Sequence, residues 1–145
     1  NWGAAWLLKD GVVADGMAAA CPATLAALAH APQPVIAGRA PLALFSRLRP
    51  GTHILPHNGM LNTRLICHLP LIVPEGCGLR VGGETRAWQR GRLTIFDDSF
   101  EHEAWNRGSS DRTVLLFEIW RPDLSDEERA MLTRIFAAID DYDVN

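Results

Sequence analysis

Three of the five histidines in this chain, His57, His68 and His102, are the residues best suited to chemistry. His57 ends a strand-like run and precedes Asn58-Gly59, and His102 follows a tight Asp-Asp-Ser turn. Neutral imidazole is the commonest metal ligand in proteins, so three histidines beside predicted strands point towards a metal centre. A lone strand histidine is more often a core or surface group, and spacing alone leaves the two interpretations about even.

The segment that contains His102 has a spacing similar to the second half of a cupin signature. A glycine precedes a strand-like run and a turn, and Asn106 follows four residues after the histidine. Asp97 and Ser99 stand where cupins usually have Pro and Gly. In a jelly roll the early and late strands lie side by side, so His57 and His102, 45 residues apart, can share one metal ion.

This pair of histidines has no cysteine partner, which argues against structural zinc and favours iron or another first-row metal with open positions. Facial-triad iron enzymes carry a carboxylate two residues after the first histidine, where this chain has Gly59. A remote carboxylate, water, chloride or a cosubstrate must therefore complete the site. His53 and His57 do not form a zinc-protease helix, because Pro56 lies between them and no glutamate does.

Charged residues surround the second histidine. Four acids are candidates to support a metal site there, namely Asp97, Asp98, Glu101 and Glu103. The alternative is that the Asp-Asp-Ser turn only caps a hairpin.

Arg112 begins the last long predicted strand, ten residues after His102. A buried guanidinium needs an acidic partner, so beside a metal Arg112 is a candidate anchor for a dicarboxylate cosubstrate. Without the histidines, a surface charge at a strand start would be the simpler interpretation.

Short runs of Leu, Ile, Val, Phe and Thr, separated by Gly, Pro and Asp, predict a mainly β fold. They give eight strands, at about 43–49, 52–56, 64–73, 78–81, 85–89, 92–96, 102–106 and 112–120. Gly82-Gly83 is the expected hairpin turn between two of them. Helices are predicted over residues 23–30 and, from a capping box formed by Ser125 and Glu128, through Ile139. Evenly spaced strands flanked by N- and C-terminal helices indicate a β-sandwich or a jelly-roll barrel.

The composition excludes several classes of protein. A chain of 145 residues without repeats or linkers predicts one domain, residues 1–145. The net charge of −3 gives no reason to expect a nucleic-acid ligand. Of the 14 basic residues, 13 are arginine, whose guanidinium group suits small acidic ligands.

Three cysteines without a C-x-x-C pair favour a reducing compartment. No run is apolar enough to span a membrane, and a first residue other than Met indicates a processed or trimmed N-terminus. We therefore expect a cytoplasmic protein.

Three segments together resemble the aspartyl/asparaginyl β-hydroxylase family: residues 45–59, 62–69 and 95–105. The similarity runs from about Trp2 to the C-terminal helix. The resemblance implies a double-stranded β-helix, the cupin-like form of the jelly roll, and an iron(II)- and 2-oxoglutarate-dependent dioxygenase. Members of this family have Gly in place of the carboxylate ligand, so Gly59 agrees with the resemblance.

The resemblance also implies roles for individual residues. It assigns iron binding to His57 and His102. The residues implied in binding 2-oxoglutarate, or in lying close to it, are Arg112, His68, Ser46 and Trp2. Asp98 would lie behind the metal, and Arg64 would bind a carboxylate of the substrate. A second arginine of this clamp is expected two residues later, where the chain has Ile66.

The implied reaction uses O2 and 2-oxoglutarate to hydroxylate an unactivated C–H bond of a small-molecule or peptide substrate. The β-carbon of an Asp or Asn residue is one expected target, and a related free or acyl substrate is the other. Ile66 argues against the Asp or Asn target, because loss of one arginine fork to a substrate carboxylate costs about 2–5 kcal/mol. The second type of target therefore stays open. The alternatives are a non-catalytic, cupin-like metal-binding module and a halogenase that holds chloride in the open position.

Overall fold

The chain alternates between two antiparallel sheets. The structure, a computed structural model, describes residues 1–144. The strands are β1 (Trp2–Lys9), β2 (Val12–Val13), β3 (Ala43–Leu48), β4 (Thr52–His57), β5 (Arg64–Ile72), β6 (Cys77–Val81), β7 (Glu84–Arg86), β8 (Thr94–Phe96), β9 (His102–Asn106) and β10 (Arg112–Trp120). The helices are α1 (Met17–Ala20), α2 (Pro22–Leu28) and α3 (Asp126–Val144).

The strand order identifies the fold. One sheet has the order β2-β1-β3-β10-β5-β8, and the other has the order β4-β9-β6-β7. From β3 to β10, successive strands cross from one sheet to the other except at the β6–β7 hairpin. This crossing pattern is the jelly roll, or double-stranded β-helix, and it confirms the predicted fold class.

Side chains that alternate along each strand build two cores. Leu48, Leu79, Ala104 and Val114 point between the sheets and are buried there with Cys77 and Trp88. Residues one position along, on the opposite face of the six-stranded sheet, pack under the two short helices: Ala43, Cys67, Leu115 and Phe117 against Leu25 and Leu28. Burial on both faces explains why β5 and β10 read as nearly continuous apolar runs.

The N-terminus differs from the expectation. Residues 2–9 carry no strand signal in the sequence, but they form β1, which pairs with β3 and extends the sheet. Trp2 pairs with Leu48 and therefore lies beside β3.

The predicted strand over 85–89 is wrong at its end, because β7 stops at Arg86 and Trp88 turns inward as a buried loop residue.

The C-terminal helix follows the predicted capping box. The Glu128 amide donates to Ser125 Oγ at 3.1 Å, and the Ser125 amide donates to Glu128 Oε1 at 2.9 Å. Phe136 of α3 packs against Trp120 and Ile36. The helix extends beyond the predicted end at Ile139. Among the helices of residues 1–144, none is both long and apolar enough to cross a membrane.

Candidate functional site

A cavity of about 490 Å³ opens between the two sheets, and it is lined by all eight residues to which the family resemblance assigned a role. They are Trp2, Ser46, His57, Arg64, His68, Asp98, His102 and Arg112. His57 and His102 come from the four-stranded sheet. Ser46, His68 and Arg112 come from the six-stranded sheet opposite. The fold therefore brings together residues that are far apart in the sequence.

The two metal-ligand candidates are direct neighbours. His57 on β4 is paired with His102 on β9, and their ring centroids are 4.2 Å apart. The register is irregular between Ile54, which faces Ala104, and His57, so that β4 contains one residue more than β9 over this stretch. Such a bulge reverses the alternation of side chains, which places His57 on the same inner face as His102.

Both imidazoles are held in the same way. His57 Nδ1 lies 2.8 Å from the carbonyl oxygen of Leu55, and His102 Nδ1 lies 2.9 Å from the carbonyl oxygen of Phe100. A carbonyl can only accept, so each Nδ1 carries a hydrogen, and in the neutral ring Nε2 then keeps its lone pair. This arrangement fixes the tautomer that binds a divalent metal through Nε2. The described residues hold no group of three His, Cys, Asp or Glu that could bind a metal, so other ligands would complete the coordination.

Gly59 lies against the Asp98 carboxylate. A Cβ atom at Gly59 would lie 2.5 Å from Asp98 Oδ2 and 2.6 Å from Cγ. The Gly59 amide also donates to the carbonyl oxygen of Asp98 at 2.6 Å. A side chain at position 59 would therefore require the Asp98 carboxylate to move away.

Within residues 1–144, Arg112 is a buried cation without an acidic partner. Its residue is 2% exposed, and its Nη2 donates to Ser46 Oγ at 2.9 Å and to the Ser46 carbonyl oxygen at 3.3 Å. Arg112 Nε has no hydrogen-bond partner among the described residues. Burial lowers the pKa of Arg112 to about 10, which leaves it charged at neutral pH. A buried charge of this kind calls for an anion, and a carboxylate matches the guanidinium fork.

Two neutral groups, Ser46 and His68, lie near Arg112. Ser46 Oγ accepts from Trp2 Nε1 at 2.9 Å as well as from Arg112, so both of its lone pairs are used and its hydrogen is free to donate. His68 is buried, and desolvation, followed by the charges of Arg112 and His102, lowers its pKa to about 3. His68 is therefore neutral at physiological pH.

Arg64 already binds acids of the protein. Its Nε lies 2.9 Å from Glu118 Oε2, and its Nη1 lies 3.3 Å from Asp98 Oδ1. Burial raises the pKa of Glu118, and the charge of Arg64 and a hydrogen bond from the Leu42 amide oppose this shift. Ile66, where a second arginine was expected, forms part of the cavity wall. The charge of Arg64 is therefore compensated within the protein.

The structure separates the four acids that surround His102 in the sequence. Only Asp98 lines the cavity. Asp97 accepts hydrogen bonds from Ser99 and lies 2.8 Å from Arg121, which agrees with a turn cap. The other two, Glu101 and Glu103, form ion pairs with Arg80.

Two residues that contact the site, Trp88 and Glu118, have no role predicted from the sequence. Trp88 donates a hydrogen bond to His68 and faces Arg112, whereas Glu118 binds Arg64. Glu118 had a signal in the sequence, because it is a lone acid inside the apolar run of β10. Trp88 had none, since a tryptophan in a predicted strand is ordinarily a core residue.

Comparison with known proteins shows which family the chain resembles. Residues 1–122 match the family model described as aspartyl/asparaginyl beta-hydroxylase. The aspartyl/asparaginyl beta-hydroxylase of Mus musculus is 47% identical over 92 residues, which cover 63% of this chain and 12% of the relative. Aspartate beta-hydroxylase domain-containing protein 2 of Homo sapiens is 38% identical over 140 residues, which cover 94% of this chain and 38% of the relative.

A third relative acts on a different type of molecule. The ornithine lipid ester-linked acyl 2-hydroxylase of Rhizobium tropici is 39% identical over 125 residues, which cover 84% of this chain and 42% of the relative. The chain thus spans well under half the length of each of these relatives. Among solved structures, the cupin domain of Schizosaccharomyces pombe Cnp3 aligns with a TM-score of 0.48 and 10% identity, over 57% of this chain and 54% of that one.

Proposed function

The chain belongs to the aspartyl/asparaginyl β-hydroxylase family, and from that premise we propose that it is a hydroxylase that depends on iron(II) and 2-oxoglutarate. One observation supports this above all. The Nε2 lone pairs of His57 and His102 and the uncompensated guanidinium of Arg112 belong to residues that line the same cavity. A metal-binding pair and a carboxylate-binding cation in one cavity match a keto-dicarboxylate cosubstrate that binds a metal at one end.

The cavity residues would form two groups with different tasks in this reaction. His57 and His102 would hold the iron(II) ion. Arg112, His68 and Ser46 would donate hydrogen bonds to the distal carboxylate of 2-oxoglutarate from the opposite sheet. When bound, the metal, the cosubstrate and O2 supply the oxidation of an unactivated C–H bond. His57 is exposed, so the cavity is open to substrate on the metal side.

An anaerobic titration with iron(II) and then 2-oxoglutarate, followed by a succinate-release assay, tests the proposal. We expect an absorption change that requires both additions, and loss of turnover in the His57→Ala variant. His53→Ala is the matched control, because His53 lies on the same strand but outside the cavity. Metal binding without any response to 2-oxoglutarate would instead support a non-catalytic module. A chloride-dependent halogenated product would support a halogenase.

For the substrate, we propose an aliphatic acyl group in preference to a carboxylate-bearing Asp side chain. Arg64 is bound by Glu118 and Asp98, and Ile66 stands where the second clamp arginine was expected. Apolar side chains complete the wall, namely Trp6, Leu42, Leu44, Ile54 and Leu116. A substrate carboxylate would have to displace an internal acid from Arg64, whereas an acyl chain needs only the apolar surface.

Paired substrates distinguish these two classes. Succinate release should be stimulated by N-decanoyl ornithine and other medium-chain acyl compounds, and more weakly by a matched chain that ends in a second carboxylate. Peptides that contain Asp or Asn provide the competing class in the same assay. Stronger stimulation by Asp peptides than by any acyl compound would contradict the substrate proposal and leave the hydroxylase proposal intact.

A further inference from the structure

Trp88 joins two residues at the cosubstrate end of the cavity, although it is not itself among the residues that line the cavity. It lies in the loop between β7 and β8 and is 4% exposed. Trp88 Nε1 donates a hydrogen bond of 3.1 Å to His68 Nδ1, and both groups are buried. The indole ring also faces Arg112, whose Cζ atom lies 4.6 Å from the ring centroid.

The hydrogen bond from Trp88 decides which nitrogen of His68 carries the hydrogen. Indole N–H can only donate, so His68 Nδ1 must accept with its lone pair. His68 is neutral because burial lowers its pKa, and a neutral ring with a bare Nδ1 has its single hydrogen on Nε2. His68 is therefore a donor on the side of its ring away from Trp88. With the opposite tautomer, His68 would offer a lone pair there and would repel a carboxylate.

The ring face of Trp88 acts on the second anion-binding group. A guanidinium within about 6 Å of an indole centroid is attracted by the electron-rich ring face. Arg112 Nη2 is held by Ser46 on one side, and no acid in the described part of the chain compensates the charge of Arg112. Trp88 thus attracts the guanidinium without neutralising it, so the charge remains available to an anion.

We propose that Trp88 is a positioning residue for the distal carboxylate of 2-oxoglutarate. It sets the tautomer of His68 through its N–H and the orientation of Arg112 through its ring. This inference rests on the proposed function, and it deepens that proposal by naming the residue that prepares the carboxylate site before the ligand arrives. A residue buried only for packing would leave the tautomer of His68 unaffected.

The tautomer can be measured without turnover. Long-range ¹H–¹⁵N spectra of the ¹⁵N-labelled, zinc-loaded protein should show His68 with a bare Nδ1 and a protonated Nε2. In Trp88→Phe, which keeps a ring over Arg112 but loses the N–H, we expect a mixture of tautomers. A wild-type His68 protonated at Nδ1 would overturn the proposal, and this result does not depend on whether Trp88→Phe folds.

Binding of 2-oxoglutarate provides the second measurement. Calorimetry of the zinc-loaded protein should show a dissociation constant about tenfold higher in Trp88→Phe, which corresponds to one lost hydrogen bond. In the iron-loaded enzyme, KM for 2-oxoglutarate should rise and kcat at saturating 2-oxoglutarate should change by less than about twofold. Trp120→Phe is the matched control, because Trp120 is similarly buried and lies outside the cavity.

The outcomes separate the two proposals. Wild-type protein that binds no 2-oxoglutarate would contradict the proposed function. If Trp88→Phe binds 2-oxoglutarate as tightly as the wild type does, only the role of Trp88 is contradicted. An equal loss of affinity in Trp120→Phe would show that the effect is one of general packing, and it would also count against the role of Trp88.

Discussion

At the level of single residues, Arg112 combines high burial with an uncompensated charge. Replacement of a buried charge by an apolar residue of similar volume is often neutral or stabilising. We expect Arg112→Met to unfold at the same or a higher temperature in the absence of ligand. The same variant should bind 2-oxoglutarate at least about 30-fold more weakly, because a lost fork to a carboxylate costs about 2 kcal/mol or more.

Thermal unfolding and calorimetry on the same samples check both halves of this prediction. Arg47→Met is the control, since Arg47 lies on β3 with about half of its side chain exposed and pairs with Asp111. It should change neither quantity appreciably. A large drop in stability, or unchanged affinity for 2-oxoglutarate, in Arg112→Met would show that Arg112 serves the fold and not a ligand.

Gly59 is constrained by the space beside it. A methyl group at this position would force the Asp98 carboxylate away, at a cost of about 1–3 kcal/mol. We therefore expect Gly59→Ala to lower the free energy of unfolding, and the added substitution Asp98→Ala to restore part of the loss. Gly83→Ala is the control, because nothing lies within 4 Å of its added Cβ. Additive effects of Gly59→Ala and Asp98→Ala in a double-mutant cycle would exclude this contact as the cause.

The sequence predicted the members of the cavity better than their contacts. The family resemblance pointed to eight residues, and all of them line one cavity, whereas Asp97, Glu101 and Glu103, which were candidates from their position beside His102, do not. The pairing of Arg64 with Glu118 was not predictable, because it depends on the register of β5 and β10, in which Ile66 lies opposite Glu118. Trp88 was missed for a similar reason, since its position follows from where β7 ends.

At the level of elements, the loop between β8 and β9 is fixed by Asp97. Burial alone would raise the pKa of Asp97, but hydrogen bonds from Ser99 and Arg121 outweigh it and lower the pKa. A lowered pKa in the folded state adds stability above the ordinary value, and this stability is lost as the pH falls through the folded value. We expect Asp97→Asn to be about 1 kcal/mol less stable than wild type at pH 6, and the difference to shrink below about pH 4.

Thermal unfolding of both proteins between pH 3 and pH 6 measures this difference. Asp111→Asn controls for the removal of a partly exposed carboxylate, because Asp111 only approaches Arg47 at 3.7 Å. A stability difference between wild type and Asp97→Asn that stays constant with pH would show that the carboxylate charge contributes nothing.

The elements themselves were only partly predictable. Eight strands and the capped C-terminal helix follow from alternation, turn residues and the Ser125–Glu128 pair. β1 was not predicted because its apolar residues 2–9 lack a clear alternation, and it forms a strand by pairing with β3. Strand formation there is a consequence of the neighbouring sheet edge and cannot be read from local propensity.

At the level of the whole molecule, the proposed 2-oxoglutarate site predicts that the ligand stabilises the folded state. A ligand at 100 times its dissociation constant adds about 2.7 kcal/mol to the stability of the folded state. For a chain of this size we expect 2-oxoglutarate, added to metal-loaded protein, to raise the unfolding temperature by roughly 5–10 °C. The same addition to Arg112→Met should have little effect. An unfolding temperature that did not respond in the wild type would count against the cosubstrate site.

Two expectations about the intact protein stay predictions. Folding of residues 1–145 as one domain predicts that limited proteolysis leaves a single resistant core. A cytoplasmic location predicts that the full-length protein is recovered with the cytoplasmic fraction of its cells. Both measurements need the protein as the cell makes it, since the chain matches only part of each relative.

The cavity is lined from both sheets, with the two imidazoles on one and the guanidinium on the other. A single ligand bound at both ends would therefore connect the two sheets through the interior. Amide hydrogen exchange across β4, β9 and β10 would then slow in concert when the occupant arrives, even where those amides lie far from it. Loading the site would, in this way, change the mechanics of the entire barrel.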